Sequence, residues 1–589
     1  MRRFLVLLLV LIAGAARAET SLPWQKWDPA LFDRAAREHK YILLHMAAVW
    51  CHWCHVMEGT TYSDPAIQKA ILDKFIPVRV DQDSDPELSY RYENWGWPAT
   101  VMLDQHGNEI FKRRGYIPPE LFAKLLVAVI EDPSALPSYT AGATVEPNAI
   151  GLSDTRRARI EALMLQTYDR QHGGFGEIQR FVHGDTLEWT LERSRPLQRN
   201  ADIATWRDVA SRTLAGARRI IDPVWGGMFQ YSDKVDWSGP HFEKLLSVQR
   251  DAMRAYVLTW QIGRDEADLK AAQDIGRWLM DFMRSDSGAF HTSQDADVSR
   301  GEHGDVFYAR SDAERRAGPQ PPIDKNSYAR ENGWAIASLA ALYDVTGDKA
   351  LLDAATRAFD WVLANRRAPN GGFGHGRAAN DDTHLGDTLA MAEAALALYR
   401  STAERRYLAL ASDFAEVIAR DHRDANGFTV RRPEPGAKGV LAKPVKQVDE
   451  NVATTRLFNL LARNTGRKDF RELAEHGMRY LVALAEDDLI VPGALLADRE
   501  LGREPAHVTT VGAKDDPAAQ ALYAIARQYP TRYLRIEWLD RREGPLPSAD
   551  VEYPELPEAA AFACANGACS VPVFTPDQVG RIVAKVDDR

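Results

Sequence analysis

A glycine–aromatic turn that recurs along most of this chain constrains its fold more than any other feature. The copies are Gly173-Gly-Phe-Gly176, Gly226-Gly-Met-Phe229, Gly288-Ala-Phe290, Gly371-Gly-Phe-Gly374, Asn426-Gly-Phe428 and Pro492-Gly-Ala-Leu495. They fall at intervals of about fifty to eighty residues, the spacing of a repeated supersecondary unit. Each interval holds two helical patterns, as in 242–262 followed by 269–284. In the first of these Phe242, Leu246, Met253, Tyr256 and Trp260 share one face. Short sequence echoes reinforce the repeat: Gly184-Asp-Thr-Leu187 returns as Gly386-Asp-Thr-Leu389, and Glu331-Asn332 as Glu450-Asn451, each at a helix start. Six helical hairpins close into an all-α (α/α)6 toroid, expected over 150–530. An open solenoid is the competing architecture, and the count of six favours closure.

Such a toroid carries a funnel at the N-terminal turns of its inner helices. The acidic residues expected there are Asp185, Asp251, Glu331, Asp387 and Glu450, with His241, Glu243, Asp295 and Asp297, and with Trp189, Trp225, Trp237 and Trp334 as sugar-stacking indoles. Facing carboxylates serve as acid and base on a glycosidic bond, whereas isolated ones cap helices and buried indoles fill cores. His241-Phe-Glu243-Lys244 is the strongest of these candidates.

Ahead of the repeat, 24–137 reads as strand, helix, strand, strand, helix. The apolar run from Tyr41 to Val49 is a buried strand, and Cys51-His-Trp-Cys54 follows it at the mouth of a helix. A helix N-terminus favours the thiolate that attacks disulfides, so Cys51 is expected to be the nucleophile and Cys54 the resolving thiol. Trp97-Pro98 stands where a thioredoxin-like α/β fold places a cis-proline, making Pro98 part of the centre. Cys-x-x-Cys-His is also a haem attachment pattern, and zinc ligation by the pair with His52 or His55 is a second alternative. The motif's place at the end of a strand favours redox exchange, with no cofactor or metal.

At the other end, 531–589 forms a C-terminal segment with Cys564 and Cys569, expected to form a structural disulfide across an Asn-Gly turn. The alternative is a second redox pair that docks on the first. Residues 1–18, with Arg2, Arg3, an apolar stretch and Ala16-Arg-Ala18, read as a secretory signal, which implies a periplasmic protein without a membrane anchor after cleavage. The formal net charge of −10 is spread along the chain without a basic block, which argues against nucleic-acid binding.

Cys51-His-Trp-Cys-His-Val-Met-Glu58, Gly96-Trp-Pro98, Pro240-His-Phe-Glu-Lys244, Gln294-Asp-Ala-Asp297 and Cys569-Ser-Val-Pro572, in that order, resemble the spermatogenesis-associated protein 20 family, the YyaL-type thioredoxin-domain proteins. The resemblance implies a thioredoxin-like domain followed by a six-hairpin toroid similar to glycosidases and sugar epimerases. It implies architecture more than a reaction. Members of that family are usually intracellular, and the segment after Asp81 is shorter here. Three functions follow as expectations. The first is a thiol–disulfide oxidoreductase acting on a protein client or redox partner through a surface-exposed Cys pair. The second is a carbohydrate-processing hydrolase or epimerase with an accessory thioredoxin-like domain, and the third a non-catalytic scaffold.

Overall fold

A computed structural model describes residues 22–136, 149–196, 202–376, 383–486, 491–548, 550–565 and 567–587. The expected signal segment and Asn566 lie outside them. The N-terminal unit is a four-stranded sheet in the order Phe75–Asp81, Tyr41–Ala47, Ala99–Leu103, Glu109–Arg114. The first two strands are parallel and the other neighbours antiparallel. Helices cover both faces of Tyr41–Ala47, which is why its sequence is an unbroken apolar run rather than an alternating one. Two helices that the sequence pattern did not suggest matter later. Pro65–Lys74 is capped by Asp64, and Pro86–Tyr92 continues the acidic turn after Asp81. The Trp97–Pro98 bond is cis.

The toroid is an inner ring of Gly184–Ser194, Leu246–Gly263, Ala329–Thr346, Leu385–Thr402, Val448–Thr465 and Pro492–Leu501. Each packs against the next, and the last against the first. Outside them lie Asp154–Gln166, Ile203–Ala217, Glu266–Trp278, Lys349–Arg366, Arg405–Asp421 and Lys468–Glu486. The inner helices Ala329–Thr346 and Leu385–Thr402 are alanine-rich and buried nearly all round, as helices enclosed by neighbours must be. Five of the recurrent turns close on a β-bridge: Tyr168 with Phe175, Ile221 with Met228, Arg284 with Phe290, Arg367 with Phe373, and Arg423 with Phe428. The sixth does not. Pro492 opens the last inner helix, a position that suits a residue lacking an N–H, so Pro492-Gly-Ala-Leu495 is helix and not turn.

The echoes have a packing cause. Asn332 Oδ1 accepts from the Phe290 N–H at 2.7 Å while its Nδ2 donates to the Phe290 carbonyl at 3.1 Å. Asn451 holds Phe428 in the same way, at 2.7 and 2.9 Å. Each amide thus fastens a turn to the next inner helix. Gly184 and Gly386 make room for a neighbour's carboxylate: a Cβ there would lie 2.7 Å from Asp251 and 2.3 Å from Glu450 Oε1.

The toroid ends at Leu501, not near 530. Ala506–Val511 and Leu534–Leu539 are parallel strands of a separate sheet, joined by Ala560–Ala565 and Ala568–Cys569 in antiparallel pairing, with helices Pro517–Ala526 and Pro576–Asp587. Strand order and directions repeat those of the N-terminal sheet. The alanine-rich strand Ala560–Ala565 has weak strand propensity, which hid this central strand of the sheet. The N-terminal unit places Gln82, Asp83, Tyr90, Glu93 and Asn94 at the N-terminal ends of the inner helices, and the C-terminal unit places 531–536 at their other ends. Eighteen-residue helices, roughly 27 Å long, separate the two.

Candidate functional site

Cys51 is the N-cap of His52–Gly59, and its Sγ accepts the Cys54 N–H at 3.1 Å. The two sulfurs form a disulfide. The expectation of an exposed pair fails: Cys51 is 3% and Cys54 0% exposed. Leu245 and Val248 of the toroid, with Trp97, pack over them and exclude water.

The carboxylates expected in one funnel divide into two sets. Glu243, Asp295 and Asp297, with His241, stand at the Cys pair, because the strands Pro240–His241 and Lys244–Leu245 and the loop after Ser293–Gln294 lie against the thioredoxin-like unit. Asp297 bridges the two histidines of the motif, 2.8 Å from His52 Nδ1 and 3.2 Å from His55 Nδ1. Despite burial, those hydrogen bonds hold Asp297 at about 2. The same bond raises His52 above the usual imidazole range, and Asp297 with Asp295 raises His55 against the pull of burial. Glu243 is 4% exposed. Its Oε1 faces the His52 N–H at 3.5 Å and burial pushes its pKa up to about 7, while Oε2 lacks a hydrogen-bond partner. Burial raises Asp295 to about 6. His241, stacked on Tyr231 at 4.2 Å, is pulled down by burial to about 4 and is neutral. The disulfide of one unit is therefore flanked by buried carboxyls of the other.

Among the described residues His55, Asp295 and Asp297 bring donor atoms within 4.8 Å of one another, as a metal site would. Here His55 Nδ1 is taken up by Asp297 and Nε2 by the Val49 carbonyl at 3.1 Å.

Lys244, next to Glu243, is structural. Its Nζ donates to Asp222 at 2.8 Å and to the Gly226 carbonyl at 2.7 Å, pinning a turn. Sequence reasoning missed three contributors. Glu58 is held at about 2 by His45 and Arg79 against burial, and it also meets Arg300 of the toroid at 3.4 Å. His303 lies edge-on to His52 at 5.4 Å. Tyr90, on the unpredicted helix, accepts from Arg330 Nη1 at 2.8 Å inside the toroid mouth.

The second set surrounds an axial cavity of about 1040 Å³ lined by Asp185, Asp251, Glu331, Glu450, Glu93 and Arg330, among others. Burial raises Glu450 and Glu93 to about 7 and Asp449 to about 6. Asp251 Oδ2 also accepts from the Gly184 N–H at 3.3 Å, and its Oδ1 from Arg250. Asp387 does not line the cavity; it accepts from the Arg330 N–H at 2.9 Å and pairs with His375, whose Nε2 donates to the Asp83 carbonyl at 2.5 Å. Of the four tryptophans only Trp334 reaches the cavity, between Arg250 and Arg330. Trp189, Trp225 and Trp237 are core, donating to Glu161, Asp312 and the Gly173 carbonyl.

Comparisons with known proteins agree with this architecture. Residues 15–131 match a thioredoxin-like family model described as a protein of unknown function, DUF255. Residues 328–483 match a model described as the beta-L-arabinofuranosidase GH127 catalytic domain. The chain is homologous to spermatogenesis-associated protein 20, at 27% identity to the mouse and 26% to the human protein over 311 residues, 48% of this chain. It thereby spans about two fifths of the length of these relatives, 39% in each case. Among solved structures, a cellobiose 2-epimerase from Bacillus thermoamylovorans is similar over 56% of this chain and 86% of its own, at 11% identity and TM-score 0.42. A family 76 mannosidase from Bacteroides thetaiotaomicron is similar over 59% and 98%, at 13% identity and TM-score 0.40. A thioredoxin from Thermus thermophilus covers 19% of this chain and 88% of its own, at 26% identity and TM-score 0.18. The fold is a thioredoxin-like α/β unit followed by a six-hairpin toroid.

Proposed function

We propose that this protein is an exported thiol–disulfide oxidoreductase, periplasmic in location, whose thioredoxin-like centre takes its acid–base groups from the toroid. The observation that carries the reading is Glu243, a buried carboxyl with a pKa near neutrality placed at the first turn of the Cys51 helix. Disulfide exchange needs a thiolate to attack and a proton for the departing sulfur. The N-terminal turn favours the Cys51 thiolate, as does His52, whose protonated form Asp297 stabilises, and Glu243 is poised to exchange a proton with a thiol at neutral pH. Because Leu245 and Val248 cover both sulfurs, exchange with a client requires this contact to part. In a chain that also carries Cys564→Ser and Cys569→Ser, Cys51→Ser should abolish reductase turnover and Cys54→Ser should accumulate a mixed disulfide on Cys51. Accumulation in the Cys51 variant instead would reverse the two roles, and unchanged turnover in both variants would end the reading.

A second reading attaches to the axial cavity. The match to an arabinofuranosidase catalytic model covers Glu331, Glu393 and Glu450, and a carboxyl with a pKa of about 7 such as Glu450 is protonated when a general acid needs to be. Glu450→Gln should remove any hydrolysis of aryl arabinofuranosides while leaving disulfide exchange intact. Parent protein that neither binds nor cleaves such glycosides would remove the carbohydrate reading.

A further inference from the structure

At the opposite end of the toroid, the C-terminal sheet carries its own disulfide on the pattern of strands that the N-terminal unit uses. Cys564 and Cys569 face each other in the register of the final hairpin. Their exposures differ: Cys564 is 4% exposed, whereas Cys569 lies on an exposed edge strand. The strand Ala506–Val511 leads into Asp516 as N-cap of Pro517–Ala526, where the N-terminal unit has Cys51 as N-cap of His52–Gly59.

A polar chain runs from the buried sulfur through an otherwise apolar core. The Tyr553 hydroxyl is 3.9 Å from Cys564 Sγ and 2.7 Å from Thr509 Oγ1. Thr509 Oγ1 is 3.0 Å from His507 Nε2, which is 2.5 Å from Glu537. Arg535 then pairs with Glu537 at 2.9 Å and with Asp550, a surface carboxylate, at 2.6 Å. Thr509, Glu537 and Arg535 are nearly or wholly buried. A disulfide that only staples a hairpin has no use for a hydrogen-bonded path between its inner sulfur and the surface. A disulfide that opens does, since the departing thiolate inside an apolar core must gain a proton.

We propose that Cys564–Cys569 is a second thiol–disulfide exchange site, in which Cys569 is the sulfur attacked and Cys564 the leaving group, protonated along Tyr553, Thr509 and His507. The substrate class is a dithiol in an extended peptide, for which the edge strand and the exposed Val571 and Phe574 offer a surface. A client thiolate attacks Cys569 Sγ, the S–S bond breaks, and its electron pair passes to Cys564 Sγ, which takes up a proton. The client's second thiol, deprotonated, attacks the client sulfur of the mixed disulfide and releases Cys569. Two electrons and two protons have then passed from the client to the pair. The length of the inner helices keeps this site from exchanging directly with Cys51–Cys54 in one molecule.

The test uses the full chain with Cys51→Ser and Cys54→Ser, so that one disulfide remains, in glutathione buffers quenched by acid and read by mass spectrometry. The folded protein should be reduced, Cys564→Ser should collect one glutathione on Cys569, and Cys569→Ser should collect none on Cys564. Tyr553→Phe, with Thr509→Val as a second interruption of the same path, should slow exchange about tenfold at unchanged melting temperature. A pair that stays oxidised until the chain unfolds, glutathione distributed equally over both sulfurs, or parental rates in both path variants would make it a structural staple.

Discussion

Replacing Glu243 by Gln should stabilise the protein at alkaline pH and leave it unchanged in acid. Glu243 titrates at about 7 in the fold, against 4.5 for an exposed glutamate, because burial disfavours its charged form. Between those values the folded state holds a proton that the unfolded chain has lost, so stability falls as pH rises through the window. Above about 7 both states are ionised and the folded state bears the whole cost of a buried charge. The shift corresponds to about 3 kcal/mol. Gln has nearly the shape of the protonated carboxyl and does not titrate. The variant should therefore match the parent at pH 4.5 and exceed it by about 3 kcal/mol at pH 8, measured by urea unfolding at both values. Hydrogen exchange of segment 240–248 reports the same difference locally. A variant no more stable than the parent at pH 8 would show that Glu243 is not a buried neutral carboxyl, and the acid–base role given to it would fall.

Asp297→Asn leaves His52 and His55 without their shared anion, and breaking a buried charged contact costs about 3 kcal/mol. Since Asp297 raises both histidines, its contribution is full below the unfolded imidazole pKa and fades as pH rises through their folded values. The deficit in melting temperature should thus be larger at pH 6 than at pH 9. Leu245→Ala uncovers the Cys pair, so reduction by dithiothreitol should speed up about tenfold, the effect of about 1.4 kcal/mol less covering; an unchanged rate would mean that Leu245 does not gate access. Asn451→Ala strands the Phe428 N–H and carbonyl, and two buried groups left unpaired cost roughly 2–4 kcal/mol in denaturant titrations.

Sequence made the architecture legible where local chemistry repeats. Glycine–aromatic turns, paired with an amide on the following inner helix, marked the hairpins, and the Cys pair at a strand end marked the thioredoxin-like unit. What stayed hidden depends on contacts between distant segments. Nothing local tells that Glu243 and Asp297 meet His52 beside the Cys pair while Asp185 and Glu450 face the axial cavity, because the division is made by how the N-terminal unit sits on the toroid mouth. His241-Phe-Glu243-Lys244 looked like a single catalytic motif. Its four residues instead divide between a neutral stacking imidazole, a half-buried ring packed on the core, a buried carboxyl and a turn-pinning ammonium. In the C-terminal unit the alanine-rich central strand Ala560–Ala565 carries little strand signal. The pairing of Cys564 with Cys569 was nonetheless readable from their spacing around a turn.

The central claim, that one redox centre is assembled from two units, is tested most directly by the pH profile of exchange between the Cys51–Cys54 disulfide and a small dithiol, in parent and Glu243→Gln proteins that both carry Cys564→Ser and Cys569→Ser. The parent rate should turn over near pH 7, where Glu243 titrates, and the variant should lose that inflection and run about tenfold or more slower at neutral pH. Superimposable profiles would contradict the claim and return the toroid to the role of a covering scaffold.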